Sequence, residues 1–146
     1  MPPKYRPGPF LNMFVATQLV ERVTTREFER AGLDLHAVAV LQLIWLNGPV
    51  TPTRLEQLTG MRPTTLRDRV NELVARGEVR RLPNPEDGRS QLLEVTAKGD
   101  RAADDARIAF RKAWDRIERR LGRSLAEFDP PIEELIRGLR DELSDG

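Results

Sequence analysis

The spacing of apolar positions changes period along the chain, and the changes mark its parts. From residue 10 to about residue 30, Leu11, Val15, Leu19 and Val23 recur every fourth position, with Phe10, Met13, Phe14 and Val20 beside them. That spacing predicts a helix. Its N-terminal half is apolar on two faces, more than a small monomer can cover, so part of it is expected to lie against another subunit. Residues 1–9, with four prolines and two basic residues, predict an extended arm. Asp34 then offers an N-cap and Asn47-Gly48 a stop. Between Leu35 and Leu46 only His36 and Gln42 are polar, so this second helix is expected to be a central strut surrounded by protein.

Thr51-Pro52 supplies an N-cap and a first-turn proline for a short third helix, with Leu55 and Leu58 facing inward. Gly60 makes a turn, and Met61 drops between helices. Over residues 62–76, Leu66, Val70, Leu73 and Val74 form one stripe. The opposite arc carries Thr64, Asp68, Asn71 and Glu72, flanked by Thr65, Arg67 and Arg69. Pro63 suits the first helical position, and Gly77 the left-handed stop. Short helix, glycine turn and longer helix with a polar outer arc is the order of a helix-turn-helix, whose second helix enters the major groove. Hydroxyls and forked guanidiniums there are the groups that bond base edges and phosphates.

After Gly77 the period shortens. Residues 78–82 and 91–95 are two strand-like runs joined by the turn-rich stretch 83–90. Such a ribbon beside a helix-turn-helix makes a wing. Arg80 and Arg81 lie on its first strand, and Arg89 beside its tip could enter a minor groove, paired locally with Asp87. Thr96 then caps a long helix to about Leu121. Ala103, Ala106, Phe110, Ala113 and Ile117 form a heptad seam there, with Trp114 adding bulk. Ser124 to Glu127 reads as a capping box. Asp129-Pro130 starts a last helix carrying Ile132, Leu135, Ile136, Leu139 and Leu143 on one face. The expected fold is mainly α with a small β-hairpin (α+β), one domain over 1–146. The winged helix-turn-helix occupies 34–96, and residues 10–32 and 100–143 supply dimerisation helices.

Composition narrows the function. The chain has 146 residues, 39% hydrophobic and 32% charged, which fits a globular protein with a real core. Its longest apolar stretch, 37–46, is too short to span a bilayer, and no membrane partner is expected. Without an apolar leader after Met-Pro-Pro-Lys, the cytoplasm is the expected location. Net charge is +1, but residues 51–93 carry eight bases against six acids, whereas residues 94–146 carry eleven against thirteen. With no cysteine and one histidine, disulfides, thiol chemistry and a metal site are not expected. No cofactor is expected either. Adjacent carboxylates such as Asp104-Asp105 and Glu133-Glu134 diverge on a helix, which argues against an enzyme. A winged-helix module that docks on protein is the alternative that a small basic excess leaves open.

One stretch is more specific. Asp87-Gly88-Arg89, then five residues, then Val95-Thr96-Ala97-Lys98-Gly99 resembles the wing signature of the MarR (multiple antibiotic resistance regulator) family of bacterial winged-helix transcription factors. Arg76-Gly77-Glu78-Val79 also fits that family, and the likeness runs from about residue 10 to 143. Val95 stands where leucine is commoner, Arg62 where the family usually has an N-capping serine, and Asp68 where a basic or neutral residue is usual. The resemblance implies a homodimer astride double-stranded DNA with a pseudo-palindromic operator, acting as a repressor. DNA would be met by Arg62, Thr64, Thr65, Arg67, Asp68, Arg69, Arg80 and Arg89, with Asp87 positioning the wing tip. It further implies a small aromatic or lipophilic acid as effector, between the dimer helices and the lobes. Phe14, His36, Trp45 and Trp114 are the candidate pocket residues. Absence of cysteine excludes the family's thiol-based peroxide sensing.

Overall fold

The structure is a computed structural model that describes residues 8–32 and 34–146. Apart from Gly8 and Pro9, the arm expected at the N-terminus lies outside the described residues. Those two open the first helix, Gly8 as N-cap and Pro9 at its first turn. In chain order follow α1 (Pro9–Ala31), α2 (Leu35–Asn47), α3 (Pro52–Thr59), α4 (Pro63–Ala75), β1 (Val79–Pro83), β2 (Gln91–Val95), α5 (Ala97–Leu121), a 3-10 turn (Leu125–Phe128) and α6 (Asp129–Ser144). No helix among the described residues is long and apolar enough to cross a membrane.

The core lies where α2 meets α3, α4, β2 and α5. Val38, Leu41 and Ile44 of α2 pack with Leu55 of α3, Leu66, Val70 and Leu73 of α4, and Leu93 of β2, all buried. Burying each such side chain contributes about 1.5–3 kcal/mol. Asp34 caps α2 as expected, its Oδ1 accepting from the Ala37 N–H at 2.7 Å. Thr51 caps α3 in the same way through the Arg54 N–H at 3.2 Å.

Two expectations for α2 need correction. His36, Trp45 and Leu46 are exposed, so the strut is covered along its middle and bare at its ends. Gly48 is extended (φ −75°) and not left-handed. A Cβ there would stand 2.6 Å from the Ile44 carbonyl oxygen, so glycine is needed for room where the chain turns back on the helix. Just beyond, Val50 exchanges two backbone hydrogen bonds with Leu93, at 3.0 and 2.8 Å. This isolated bridge anchors the hairpin to the loop between α2 and α3.

β1 and β2 pair antiparallel in the register Val79↔Val95, Arg80↔Glu94, Arg81↔Leu93, Leu82↔Leu92, Pro83↔Gln91. The α5 seam packs inward: Ala103, Ala106 and Ala113 are buried, and Phe110 meets Phe28 of α1 edge to face at 4.7 Å. The capping box at Ser124 does not form. Ser124 Oγ accepts from the Ala126 N–H (3.3 Å) and donates to Glu118, while Glu127 pairs with Arg123. The turn is 3-10, and its tighter winding brings the second residue, not the third, under the cap.

Candidate nucleic-acid interface

The exposed arc of α4 begins at a helix end left open. Arg62 is the N-cap and its side chain makes no capping hydrogen bond, so the first-turn N–H groups of Thr64 and Thr65 face outward. A helix N-terminus of that kind attracts phosphate through its free donors and its dipole. Thr64, Thr65, Arg67 and Asp68 are exposed around it, and Asp68 makes no ion pair among the described residues. The acid could accept from a cytosine amino group, while it repels phosphate.

Arg67 shares a cleft of about 230 Å³ with Pro52, Glu56, Pro63 and Arg81, above Leu66 and Val70. Arg81 reaches α4 itself, its Nη2 donating to Asn71 Oδ1 at 2.5 Å. This cation is missing from the residues expected to meet DNA. Strand parity could have found it: Arg81 is two positions from buried Val79, so it shares the face turned to α4. Arg54, exposed in the first turn of α3, is a second such cation.

Three expected contacts are held otherwise than foreseen. Arg69 is half-buried and pairs with Asp34 (2.9 Å) and Glu72 (3.1 Å), directed toward α2. Arg80, on the opposite face of the ribbon from Arg81, is tied across the strands to Glu94 through its Nε at 2.7 Å. Asp87 grips the backbone of Arg89 and not its guanidinium: Oδ1 accepts the Arg89 N–H at 2.9 Å. Asn84 Nδ2 to Ser90 Oγ (2.8 Å) closes the same loop. An Asx turn holds the tip while the Arg89 side chain stays exposed.

The four candidate pocket residues do not share a cavity. Trp45 donates its indole N–H to Asp100 (2.7 Å) under the Arg107 guanidinium (4.2 Å) and lines a cleft of about 310 Å³. Trp114 donates to Glu118 (3.0 Å) and lines a separate cleft of about 490 Å³ with Arg107, Phe110 and Arg111. Phe14 and His36 line neither. Three ionisable groups are shifted. The Leu125 N–H, the Ser124 hydroxyl and the Trp114 indole bond Glu118 and hold its carboxyl below its ordinary value, outweighing burial. Burial raises Glu27, but its hydrogen bond to Arg116 prevails and it too lies low. Arg76 is raised by its hydrogen bond to Glu78.

Residues 31–90 match the sequence profile of the MarR family. The chain is a winged-helix protein of the MarR family. No curated protein matches the sequence. Among solved structures it is similar to MarR from E. coli complexed with operator DNA, at 20% identity and a TM-score of 0.67, covering 87% of this chain and 89% of that one. It is similar to the M. tuberculosis regulator MOSR in complex with DNA, at 22% identity and TM-score 0.73, covering 95% and 98%. CouR from Rhodococcus jostii RHA1 bound to p-coumaroyl-CoA is a third likeness, at 22% identity and TM-score 0.73, covering 88% of each chain.

The MarR wing signature has a mechanical reading in this chain. Thr96 Oγ1 donates to the Gly77 carbonyl (2.6 Å) and accepts from the Gly99 N–H (3.1 Å), so one hydroxyl caps α5 and closes the turn after α4. A Cβ on Gly99 would stand 1.9 Å from the Glu78 carbonyl oxygen. Threonine and glycine three apart therefore seat the wing against the reading helix. The arginine two positions after Asp87 hangs at the far end.

Proposed function

We propose that this chain is a dimeric, sequence-specific DNA-binding transcriptional regulator, a repressor released by a small aromatic or lipophilic acid. One observation carries the reading: the uncapped N-terminus of α4, ringed by threonine hydroxyls and arginines and adjoined by a ribbon ending in Arg89. The DNA complexes of E. coli MarR and of MOSR support it by fold, and the CouR complex supports a small-molecule effector. Arg62, Thr64, Thr65, Arg67 and Asp68 would face the major groove, with Arg54 and Arg81 on adjoining phosphates and Arg89 in the minor groove. Arginine–phosphate contacts give salt-dependent affinity to any duplex, while each good base contact adds about 1–3 kcal/mol of discrimination.

A dimer is supported by what the monomer leaves bare. Phe10, Leu11, Phe14, Val15 and Leu19 of α1, and Ile132, Ile136, Leu139 and Leu143 of α6, are all exposed. Apolar surface on that scale marks an interface. A twofold pair would set two copies of α4 about 34 Å apart, one turn of DNA.

Footprinting on DNA flanking the gene, repeated with Arg89→Ala and Arg67→Ala, tests the proposal. Arg89→Ala is expected to weaken every duplex alike and to reduce the salt slope by about one unit. Arg67→Ala is expected to change which sequence is preferred. Protection of no discrete site by the wild-type protein would leave the protein-docking alternative standing instead.

A further inference from the structure

Two arginines of α4 point away from its outer arc and hold the corner between α1 and α2. Arg69 Nη1 pairs with Asp34 Oδ2 at 2.9 Å, and Asp34 uses its other oxygen to cap α2. Seven residues on, Arg76 Nη1 donates to the Gly32 carbonyl at 2.6 Å. Its Nε and Nη2 clasp Glu78 Oε1 at 3.0 and 2.9 Å, and Glu78 is itself buried. Seven residues are close to two turns, so the two grips lie on one side of α4 about 10 Å apart along its axis. A single contact would let a helix pivot. Two contacts separated along the axis, made to one short corner, fix both its roll and its tilt.

The corner is not a free loop. Phe28, four residues before Gly32, is buried against Phe110 of α5. The orientation of α4 is thereby referenced to the α1–α5 pair as well as to the core of its own lobe. We infer that Asp34 and Gly32, through Arg69 and Arg76, are positioning groups that set the angle at which α4 meets DNA, and that this clamp carries the arrangement of the terminal helices into the reader. The inference rests on the DNA-reading proposal above. It assigns Arg69 to aiming the helix, not to touching the duplex.

Asp34→Asn separates the clamp from its neighbours, because asparagine caps a helix as well as aspartate does and α2 is retained. Phosphate electrostatics alone predicts that removing an acid strengthens binding to every duplex. The clamp predicts a loss of discrimination, by about threefold in the affinity ratio of the selected site over random duplex. Arg69→Gln is expected to show the same loss and Arg69→Lys to recover part of it. Orientation is read without DNA by electron–electron distance measurements between nitroxides at Asp68→Cys and Lys112→Cys. The chain has no cysteine of its own, and dilution with unlabelled protein isolates the distance within one chain. Asp34→Asn is expected to broaden that distribution. Wild-type discrimination or a wild-type distribution in Asp34→Asn overturns the inference. Failure of the unmutated protein to select any sequence overturns the DNA reading instead, and the distance distribution still decides whether the corner holds α4.

Discussion

The winged lobe and the terminal helices use the same apolar spacing to opposite ends. In the lobe the stripe residues close on one another: Leu41, Ile44, Leu55 and Leu73 are 0% exposed. At the chain ends equally regular stripes stay open, with Phe10 at 69%, Phe14 at 63% and Leu143 at 79%. α6 contains no buried residue and is held to the rest by its turn and by Arg140, whose Nη2 donates to the Leu58 carbonyl at 2.9 Å. The lobe is thus complete within one chain, and the ends are not. Periodicity shows that a face will be covered, not by which molecule.

The largest effect is expected in the lobe. Leu73→Ala removes a fully buried side chain between α4 and the core, which costs about 2–5 kcal/mol. The melting temperature should fall by roughly 5–15 °C, whatever the protein concentration. A smaller and different effect is expected at the ends. Phe14→Ala should weaken self-association about 30-fold in sedimentation equilibrium, the size of an aromatic anchor at an interface. It should lower the melting temperature only through that equilibrium, so the loss shrinks as protein concentration rises. A concentration-independent loss for Phe14→Ala would erase the contrast between the two regions.

How far this was legible varies with the kind of contact. Helix limits followed from caps and breakers, and Asp34, Thr51 and Thr96 do what their positions announced. So did the hairpin, because Thr96, Gly77 and Gly99 are short-range constraints. What failed to show was whatever depends on a neighbour distant in sequence. Arg69 and Arg76 lie on the flank of the α4 stripe beside Leu73, but only the fold reveals that Asp34 and Gly32 stand opposite. Gly48 looked like a left-handed stop, since a sequence records the missing Cβ and not the Ile44 carbonyl that fills its place. The strand bridge at Val50 has no pattern of its own. The candidate pocket failed for a similar reason: four bulky residues on three helices imply no common cavity until the helices are placed.

The joint between the two regions offers the finest test. Glu118, one turn before the end of α5, accepts from the Leu125 N–H (2.8 Å), the Ser124 hydroxyl (3.0 Å) and the Trp114 indole (3.0 Å). The charged form is what those three donors bind, so the folded carboxyl titrates below its ordinary value of 4.5. Folding therefore gains from Glu118 at any pH above that value, and the gain disappears as pH falls through the lower, folded value. Glu118→Gln keeps the size but accepts with a neutral carbonyl. Its melting temperature should lie slightly below that of the wild type at pH 7, and the gap should close under pH 4. Because this carboxylate fastens the turn that carries α6 and not the lobe, Glu118→Gln should also loosen self-association in parallel. A gap that stayed constant through the acid range would mean that the charge has no part in the joint, and that α6 is held in place by its partner alone.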